Sequence, residues 1–245
     1  MKHLVIVEKA VNSKIMHDKV SIVLNKLGIE YKNISLYVLS FIHRSIVNER
    51  PDFTPEHNER LEFLGDAVLE LAITKNLFND FPKKPEGELT DIRSALVRWT
   101  NLAKVAKSLW LPEYLLLGKW EEMSWGRSND YLLANVVEAL LWAIFIDLWV
   151  EVASKFVDKY IYITLDDILK NNKTKDHKTI IQEYAQAEYE ITPTYKIHSE
   201  SWPDHDKTFE VGVYLEEKLV WTWTGSSKKK AQESAANDWY NKLIK

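Results

Sequence analysis

Cysteine is absent from this chain of 245 residues. Disulfide bonds, thiolate zinc sites and thiol nucleophiles are therefore excluded, which fits a protein of the reducing cytoplasm. The seven histidines are scattered, and no two have the spacing of metal ligands on one helix. Long apolar runs are also missing, and the run near the amino terminus is too short for a signal peptide. We therefore expect a cytoplasmic protein with no membrane segment.

The chain also lacks a net positive charge, since its formal net charge is −4. A generally basic nucleic-acid binder is excluded, so contact with a polyanion would depend on local basic patches or on bound cations. Glycine is scarce, with seven residues against ten tryptophans. Hydrophobic residues make up 46% of the chain, which is enough for the core of one large domain or of two modest ones.

Acidic residues cluster in one segment with helical periodicity, residues 58–71. In a helix, Glu59, Glu62 and Asp66 stand at i, i+3 and i+7 and share one face. Like charges placed this way repel one another, which indicates either a solvated surface or a bound cation such as a hard divalent metal. The side chains expected to be buried on the opposite face are Leu61, Leu64, Val68 and Leu69.

The periodicity changes once along the chain. It is helical over residues 18–165, and a polar stretch at 166–175 follows, which we interpret as a linker. Beyond it the pattern predicts a helix, three strands and a second helix, an order typical of a double-stranded-RNA-binding domain. These predicted elements are a helix at 178–187, strands at 195–199, 207–214 and 218–224, and a helix at 227–244.

The acidic segment, NERLEFLGDAVLEL at residues 58–71, resembles the signature of the ribonuclease III family along its whole length. The resemblance extends over nearly the whole chain, except for residues 1–17. A second acidic segment, residues 132–141, is similar to the family's other metal-binding helix. Further matching motifs are HRS at residues 43–45, PEGELT at 85–90, RSALV at 93–97 and YLLLGK at 114–119.

This resemblance implies a multidomain protein, in which an all-α ribonuclease III endonuclease domain precedes a small α+β (α-β-β-β-α) double-stranded-RNA-binding domain. It also implies a homodimer whose two acidic clusters cut opposite strands of one RNA duplex with Mg²⁺, or with Mn²⁺ as a substitute. The products would carry 5′-phosphates, 3′-hydroxyls and short 3′ overhangs, and ribosomal RNA precursors are expected substrates. The implied regions are an N-terminal extension at 1–17, the endonuclease domain at 18–165, a linker at 166–175 and the RNA-binding domain at 176–245.

Four residues match the family's metal-site positions, and two of them, Asp66 and Glu138, match those most tied to catalysis. Carboxylates suit Mg²⁺, which can supply an activated water, neutralise phosphate charge and stabilise the leaving oxygen. Glu59 also matches the signature and is expected to have only a supporting role. The four implied metal ligands are Glu62, Asp66, Asn135 and Glu138.

Asn135 departs from the family pattern, which usually has Asp at this position. Its amide oxygen can still coordinate a metal or hold a ligated water, but the site loses one negative charge. The alternative is therefore a non-catalytic double-stranded-RNA-binding or ribosome-associated protein on the same fold. Retention of Glu62, Asp66 and Glu138 favours the enzyme, since a scaffold has no physical need for clustered acids.

In the second domain, the resemblance implies recognition of A-form shape and 2′-hydroxyls with little reading of base sequence. Three lysines open the last predicted helix, where they and the helix N-terminus can face phosphates together. A lysine run taken alone is more often solvated surface. The implied RNA-binding residues are Gln182, Glu183, His205, Lys228, Lys229 and Lys230.

Most of the tryptophans occupy positions where these two domain families have glycine. Glycine and tryptophan together make up about 7% of the chain, the normal share of glycine alone. We hypothesise that UGA is read as glycine in the source organism, as in some bacterial lineages, and stands as tryptophan in the printed sequence. The alternative is that the indoles are real, some in the core and some stacked on RNA. The positions concerned are Trp110, Trp120, Trp125, Trp142, Trp149, Trp202, Trp221 and Trp223.

Overall fold

The computed structural model describes residues 14–49, 56–170, 177–201 and 208–225. The chain divides into two compact units, residues 1–174 and 175–245. His205, Lys228, Lys229 and Lys230 lie outside the described residues, as do most of the predicted N-terminal extension and the last predicted helix. In the described part of the chain, no helix is both long and apolar enough to cross a bilayer.

The first unit is built from α-helices joined by loops and short 3₁₀ turns, which confirms the predicted all-α class. The turns cover Leu111–Tyr114, Gly126–Ser128 and Tyr162–Thr164. The helices among the described residues of this unit are α1 Lys14–Leu27, α2 Ile34–Ser40, α3 Arg44–Glu49, α4 Glu59–Asp80, α5 Glu86–Val97, α6 Trp99–Ser108, α7 Lys119–Met123, α8 Asp130–Tyr160 and α9 Leu165–Lys170.

Helices α4 and α8 form the centre of this unit and pack along each other. Helix α8 also packs against α2 and α6, so its side chains meet neighbours in several directions. Leu133, Val137 and Leu140 are fully buried as a result. Burying one such side chain contributes about 1.5–3 kcal/mol, so the core itself holds the two acidic segments together.

Helix α4 confirms that the first acidic segment is helical. Leu61, Val68 and Leu69 are buried, as predicted. The prediction for Leu64 is wrong, because this side chain is partly exposed. Gly65 lies at the centre of the buried face, and Leu64 points about 100° away from it around the helix.

Two helices extend beyond the residue range predicted for the endonuclease domain. Helix α1 already begins at Lys14, inside the predicted extension 1–17. Residues 165–170, which the polar composition placed largely in the linker, form α9 and bury Leu165 and Ile168. One helical turn needs only two apolar side chains to dock, so average composition did not reveal it.

The second unit combines a helix with an antiparallel sheet in the order β1-β2-β3, which confirms the predicted α+β class. Ile181 of the helix packs with Val213 of the central strand, and both side chains are fully buried. Val211 pairs with Ile197 on one side and with Trp223 on the other. The described elements are α10 His177–Tyr189, β1 Thr194–Ser201, β2 Thr208–Leu215 and β3 Lys218–Gly225.

Candidate active site

Asn58 fixes the start of α4. Its side chain is buried, and its amide nitrogen donates to the carbonyl oxygen of Ser40 at 3.2 Å. Its backbone N–H donates to the carbonyl oxygen of Ile42 at 2.9 Å. The first acidic residues of α4 therefore follow directly from a point that is anchored to the end of α2.

Gly65 sets the distance between α4 and α8. A Cβ atom at this position would lie 1.9 Å from the backbone carbonyl oxygen of Glu138. Only glycine permits so close an approach of two helix backbones. Glu62 and Asp66 flank this point on α4, so the crossing brings the acids of the signature to the acid of α8.

Glu138 is the most deeply buried acid of the cluster, with 9% of its surface exposed. Burial, followed by the charges of Asp66 and Glu62, raises the pKa of Glu138 to about 8. A carboxyl group with this pKa holds a proton at neutral pH unless a cation compensates its charge. The core gains nothing from such a group, since an apolar side chain there would avoid the cost of desolvation.

Glu62 and Asp66 share this electrostatic environment. Burial, then the charges of Glu59 and Asp66, raise the pKa of the half-buried Glu62. Burial and the charge of Glu70 raise the pKa of Asp66, which is the most exposed of the three. The signature acids and Glu138 therefore lie close enough to oppose one another's ionisation.

The donor set fits a hard divalent cation. Carboxylate oxygens that raise one another's pKa are relieved by a positive charge placed among them. In the described residues, however, no three His, Asp or Glu side chains converge closely enough to hold a metal ion by themselves. Carboxylates that repel one another need not converge in the absence of the cation that attracts them.

Asn135 lies one turn before Glu138 in α8 and is half-buried. Residues at i and i+3 share a helix face, so its amide is directed to the same side as the Glu138 carboxyl. It can offer an oxygen ligand there without adding a further negative charge.

Glu59 is engaged in contacts outside the cluster. Its carboxylate lies 3.2 Å from the guanidinium of Arg44 and 3.8 Å from the ring of His57. Two residues near the cluster were missed in the sequence: Arg44, which holds Glu59, and Glu70, which faces Asp66. The i, i+4 spacing of Asp66 and Glu70 was the available signal for the second.

An exposed apolar stripe on α4 borders the acidic face, and it was also missed. Phe63, Leu71 and Phe78 are 82%, 63% and 72% exposed. Their spacing of eight and seven residues places them within about 80° of each other around the helix. Phe78 also lines a cavity of about 470 Å³ together with Phe81 and Leu89. Exposed apolar side chains grouped on one face of a helix are typical of contact surfaces.

In the second unit, the structure places Gln182 and Glu183 on the exposed side of α10. They are therefore available to a ligand, whereas neighbouring Ile181 and Ala185 enter the core. The other four implied RNA-binding residues, His205, Lys228, Lys229 and Lys230, lie outside the described residues.

Comparison with known proteins assigns both units. Residues 33–165 match the family described as "Ribonuclease-III-like", and residues 177–243 match the "Double-stranded RNA binding motif". Ribonuclease 3 of Leptospira interrogans is 41% identical over 220 residues, which cover 90% of this chain and 89% of that protein. Ribonuclease 3 of Syntrophobacter fumaroxidans is 44% identical over 216 residues, 86% of this chain and 89% of that protein.

Solved structures agree for the first unit. The nuclease domain of Campylobacter jejuni ribonuclease III superposes with a TM-score of 0.54 and 33% identity, covering 59% of this chain and 95% of that domain. A second structure of that domain has a TM-score of 0.53 and 34% identity, covers 57% of this chain and 93% of that domain, and is described by flexibility in a region involved in dimer formation. With both domains matched and the signature helix in place, the chain belongs to the ribonuclease III family of endoribonucleases.

Proposed function

We propose that this protein is a Mg²⁺-dependent endoribonuclease that hydrolyses double-stranded RNA to products with 5′-phosphate and 3′-hydroxyl ends. One observation carries the proposal: Glu138 is a buried carboxyl group placed against Glu62 and Asp66 where α4 and α8 touch. Strongly perturbed acids gathered at one place are typical of catalytic sites. Ribosomal RNA precursors in the cytoplasm are the substrates we propose for it.

Glu62, Asp66, Asn135 and Glu138 would hold the metal, and Mn²⁺ would serve in its place. When bound, the ion supplies Lewis acidity toward the phosphodiester and lowers the pKa of water in the site. Binding requires Glu138 to give up the proton that its raised pKa favours in the absence of metal. Metal affinity should therefore increase with pH up to about 8.

The burial of each acid indicates its role in the site. Glu138 is held rigidly by the helix crossing, so its carboxylate defines the inner wall of the site. Asp66 is more exposed and so lies on the side from which a phosphate and the attacking water arrive. Glu62 stands between surface and core, and it orients water or metal on the α4 side.

The active form we propose is a homodimer formed through the exposed stripe of α4. Phe63, Leu71 and Phe78 lie beside the acidic face, so a second copy that covers them brings a second acidic cluster close to the first. An isologous contact relates the two clusters by a twofold axis, as two strands of one duplex require. Phe78 and the adjacent cavity make this surface uneven, so a partner can fit it with the shape complementarity of a specific contact.

Duplex binding is assigned to the second unit. The exposed Gln182 and Glu183 of α10 would contact a minor groove, and His205 would contact the next one. Lys228, Lys229 and Lys230 would bind the phosphates between them. This division leaves the first unit free to carry its acids, which by themselves would repel RNA.

A cleavage assay on a long RNA duplex tests the proposal, using a chain with glycine at the eight tryptophan positions named in the sequence analysis. We expect cleavage that depends on Mg²⁺, 5′-phosphorylated products, and loss of cleavage by at least about a hundredfold in Glu138→Gln with duplex binding retained. The amide keeps the size of the side chain but is neutral and a poorer ligand. The proposal would be contradicted if the protein with unchanged site residues binds the duplex but does not cleave it with Mg²⁺ or Mn²⁺. That result would support a non-catalytic RNA-binding protein.

A further inference from the structure

Three exposed tryptophans have backbone conformations with positive φ. Trp110 has φ 61° and ψ 20°, Trp125 has φ 62° and ψ 25°, and Trp149 has φ 75° and ψ 174°. Among the described non-glycine residues, only Glu190 and Glu216 share a positive φ. Tryptophan is a bulky residue for which this region is strongly disfavoured, so three cases in one unit require a reason.

Trp149 is the strongest of the three. Its combination of φ 75° and ψ 174° lies in a region that is populated essentially by glycine alone. The residue interrupts α8, which continues on both sides of it. Any side chain at this point keeps a steric conflict with its own backbone, and glycine has none.

Trp110 and Trp125 stand where helices commonly end in glycine. Each follows the capping residue of a helix, Leu109 for α6 and Ser124 for α7. The N–H of Trp110 donates to Lys107 at 3.1 Å, and that of Trp125 donates to Glu122 at 3.3 Å. A left-handed residue directly after the cap is most often glycine.

Gly28 provides an internal comparison, since it follows the end of α1 with φ 71°. Glu190 shows that a different side chain can occupy a similar position after α10. The left-handed conformation alone is therefore not unique to glycine. What sets these positions apart is the conformation of Trp149 and the presence of tryptophan at all three of them.

The three indoles are largely exposed, so burial does not offset the strain in their backbone. They are 62%, 80% and 65% exposed. Trp149 stacks on Phe145 at a ring separation of 5.9 Å, a contact within its own helix. An aromatic platform for stacking RNA bases would gain from a relaxed backbone that presents the ring, whereas these three positions present it at a cost.

We propose that residues 110, 125 and 149 are glycine in the protein that the source cell makes, because their codons are UGA read as glycine. The exposed aromatic surface around Trp110 and Trp125 is then not a binding surface. The kink in α8 at residue 149 is then formed by glycine rather than by a strained tryptophan.

Peptide mass spectrometry of the protein purified from its source cells tests this identity directly. We expect peptides that carry glycine at all three positions, and UGA at the corresponding codons of the gene. Tryptophan-containing peptides at residues 110, 125 and 149 would overturn the proposal.

The requirement for glycine at residue 149 has its own test, in a chain that carries glycine at the other seven of the eight suspected positions. We expect Trp149→Gly to melt about 2–4 °C higher than Trp149→Ala, since alanine still has a Cβ. Trp120, which is exposed within helix α7, is the matched control. At residue 120, in a chain with glycine at the other suspected positions, the alanine variant should melt at a higher temperature than the glycine variant. An alanine variant at least as stable as the glycine variant at residue 149 would overturn the requirement for glycine.

Discussion

At the scale of single residues, the burial of Glu138 has the largest energetic consequence. Moving its pKa from the ordinary value of 4.5 to about 8 corresponds to at most about 5 kcal/mol between the charged and neutral forms. The native state keeps this proton over a pH range in which the unfolded chain has lost it. A bound cation reverses the preference, so metal binding and protonation compete for one carboxylate.

The metal-free protein should therefore lose stability as pH rises from about 5 to 8. In that window the native state binds more protons than the unfolded state, which makes the slope of unfolding free energy against pH negative. Glu62 and Asp66 add to the slope in the same direction, because their pKa values are also raised. Urea unfolding with chelator at several pH values measures it.

Glu138→Gln is the reference for this measurement, since it retains every other titrating group. The decline of stability between pH 5 and 8 should be flatter in this variant, and Mg²⁺ should stabilise only the parent protein strongly. Equal slopes for the two proteins would show that Glu138 is not protonated in the metal-free fold.

Asn135 gives a second prediction at this scale. Asn135→Asp keeps the side chain at about the same size and adds a negative charge beside the proposed metal. We expect half-maximal cleavage at an Mg²⁺ concentration about three- to tenfold lower, a net gain of about 1 kcal/mol after repulsion from the other acids is subtracted. Magnesium titrations of cleavage and of thermal melting measure it. Identical titrations for both forms would place Asn135 outside the coordination sphere.

At the scale of elements, the contact of α4 with α8 depends on the missing side chain of Gly65. The obstacle to a Cβ there is a backbone carbonyl of Glu138, which cannot move aside as a flexible side chain can. Each helix also carries a large part of the core. A small displacement at this point therefore disturbs both packing and the position of the acids.

Gly65→Ala should destabilise the protein by about 3 kcal/mol or more and lower cleavage, because the two helices must separate. Gly87, which lies in helix α5 with no atom within 4 Å of the added Cβ, is the matched control. Gly87→Ala should be neutral or stabilising by up to about 1 kcal/mol. Thermal melting and cleavage rates of both variants give the comparison, and similar small effects at both positions would contradict the contact.

At the scale of the whole molecule, the proposed function requires two acidic clusters, because each would cut one strand of the duplex. We propose that two copies pair next to those clusters through the exposed stripe of α4. Burying aromatic side chains at the centre of a contact commonly dominates its affinity.

Phe63→Asp should weaken the dimer by about thirtyfold or more and reduce cleavage in parallel, since a charge would replace the most exposed aromatic side chain of the proposed contact. Sedimentation over a range of protein concentrations measures the association. Ile163→Asp is the control, because Ile163 is also highly exposed but lies outside α4. If Phe63→Asp assembles as the parent does, the contact surface lies elsewhere.

Much of this protein follows from local sequence. Period and composition predicted the helical first unit, the strands of the second and the helical placement of Glu62, Asp66 and Glu138, because spacing along a helix is a local property. The docking of α9 through Leu165 and Ile168 and the exposure of Leu64 were not predictable in this way. Both depend on which neighbour covers which face.

The chemistry of the candidate site was decided by the tertiary structure. Sequence alone identified the acids, but the pKa of Glu138 near 8 exists only because the touching backbones of α4 and α8 remove it from water beside Asp66 and Glu62. Likewise, residue counts suggested that glycine was missing, while the backbone conformation of Trp149 identifies one position that favours glycine. The sequence specifies the residue types, whereas desolvation, charge proximity and steric exclusion arise only when the fold brings distant segments together.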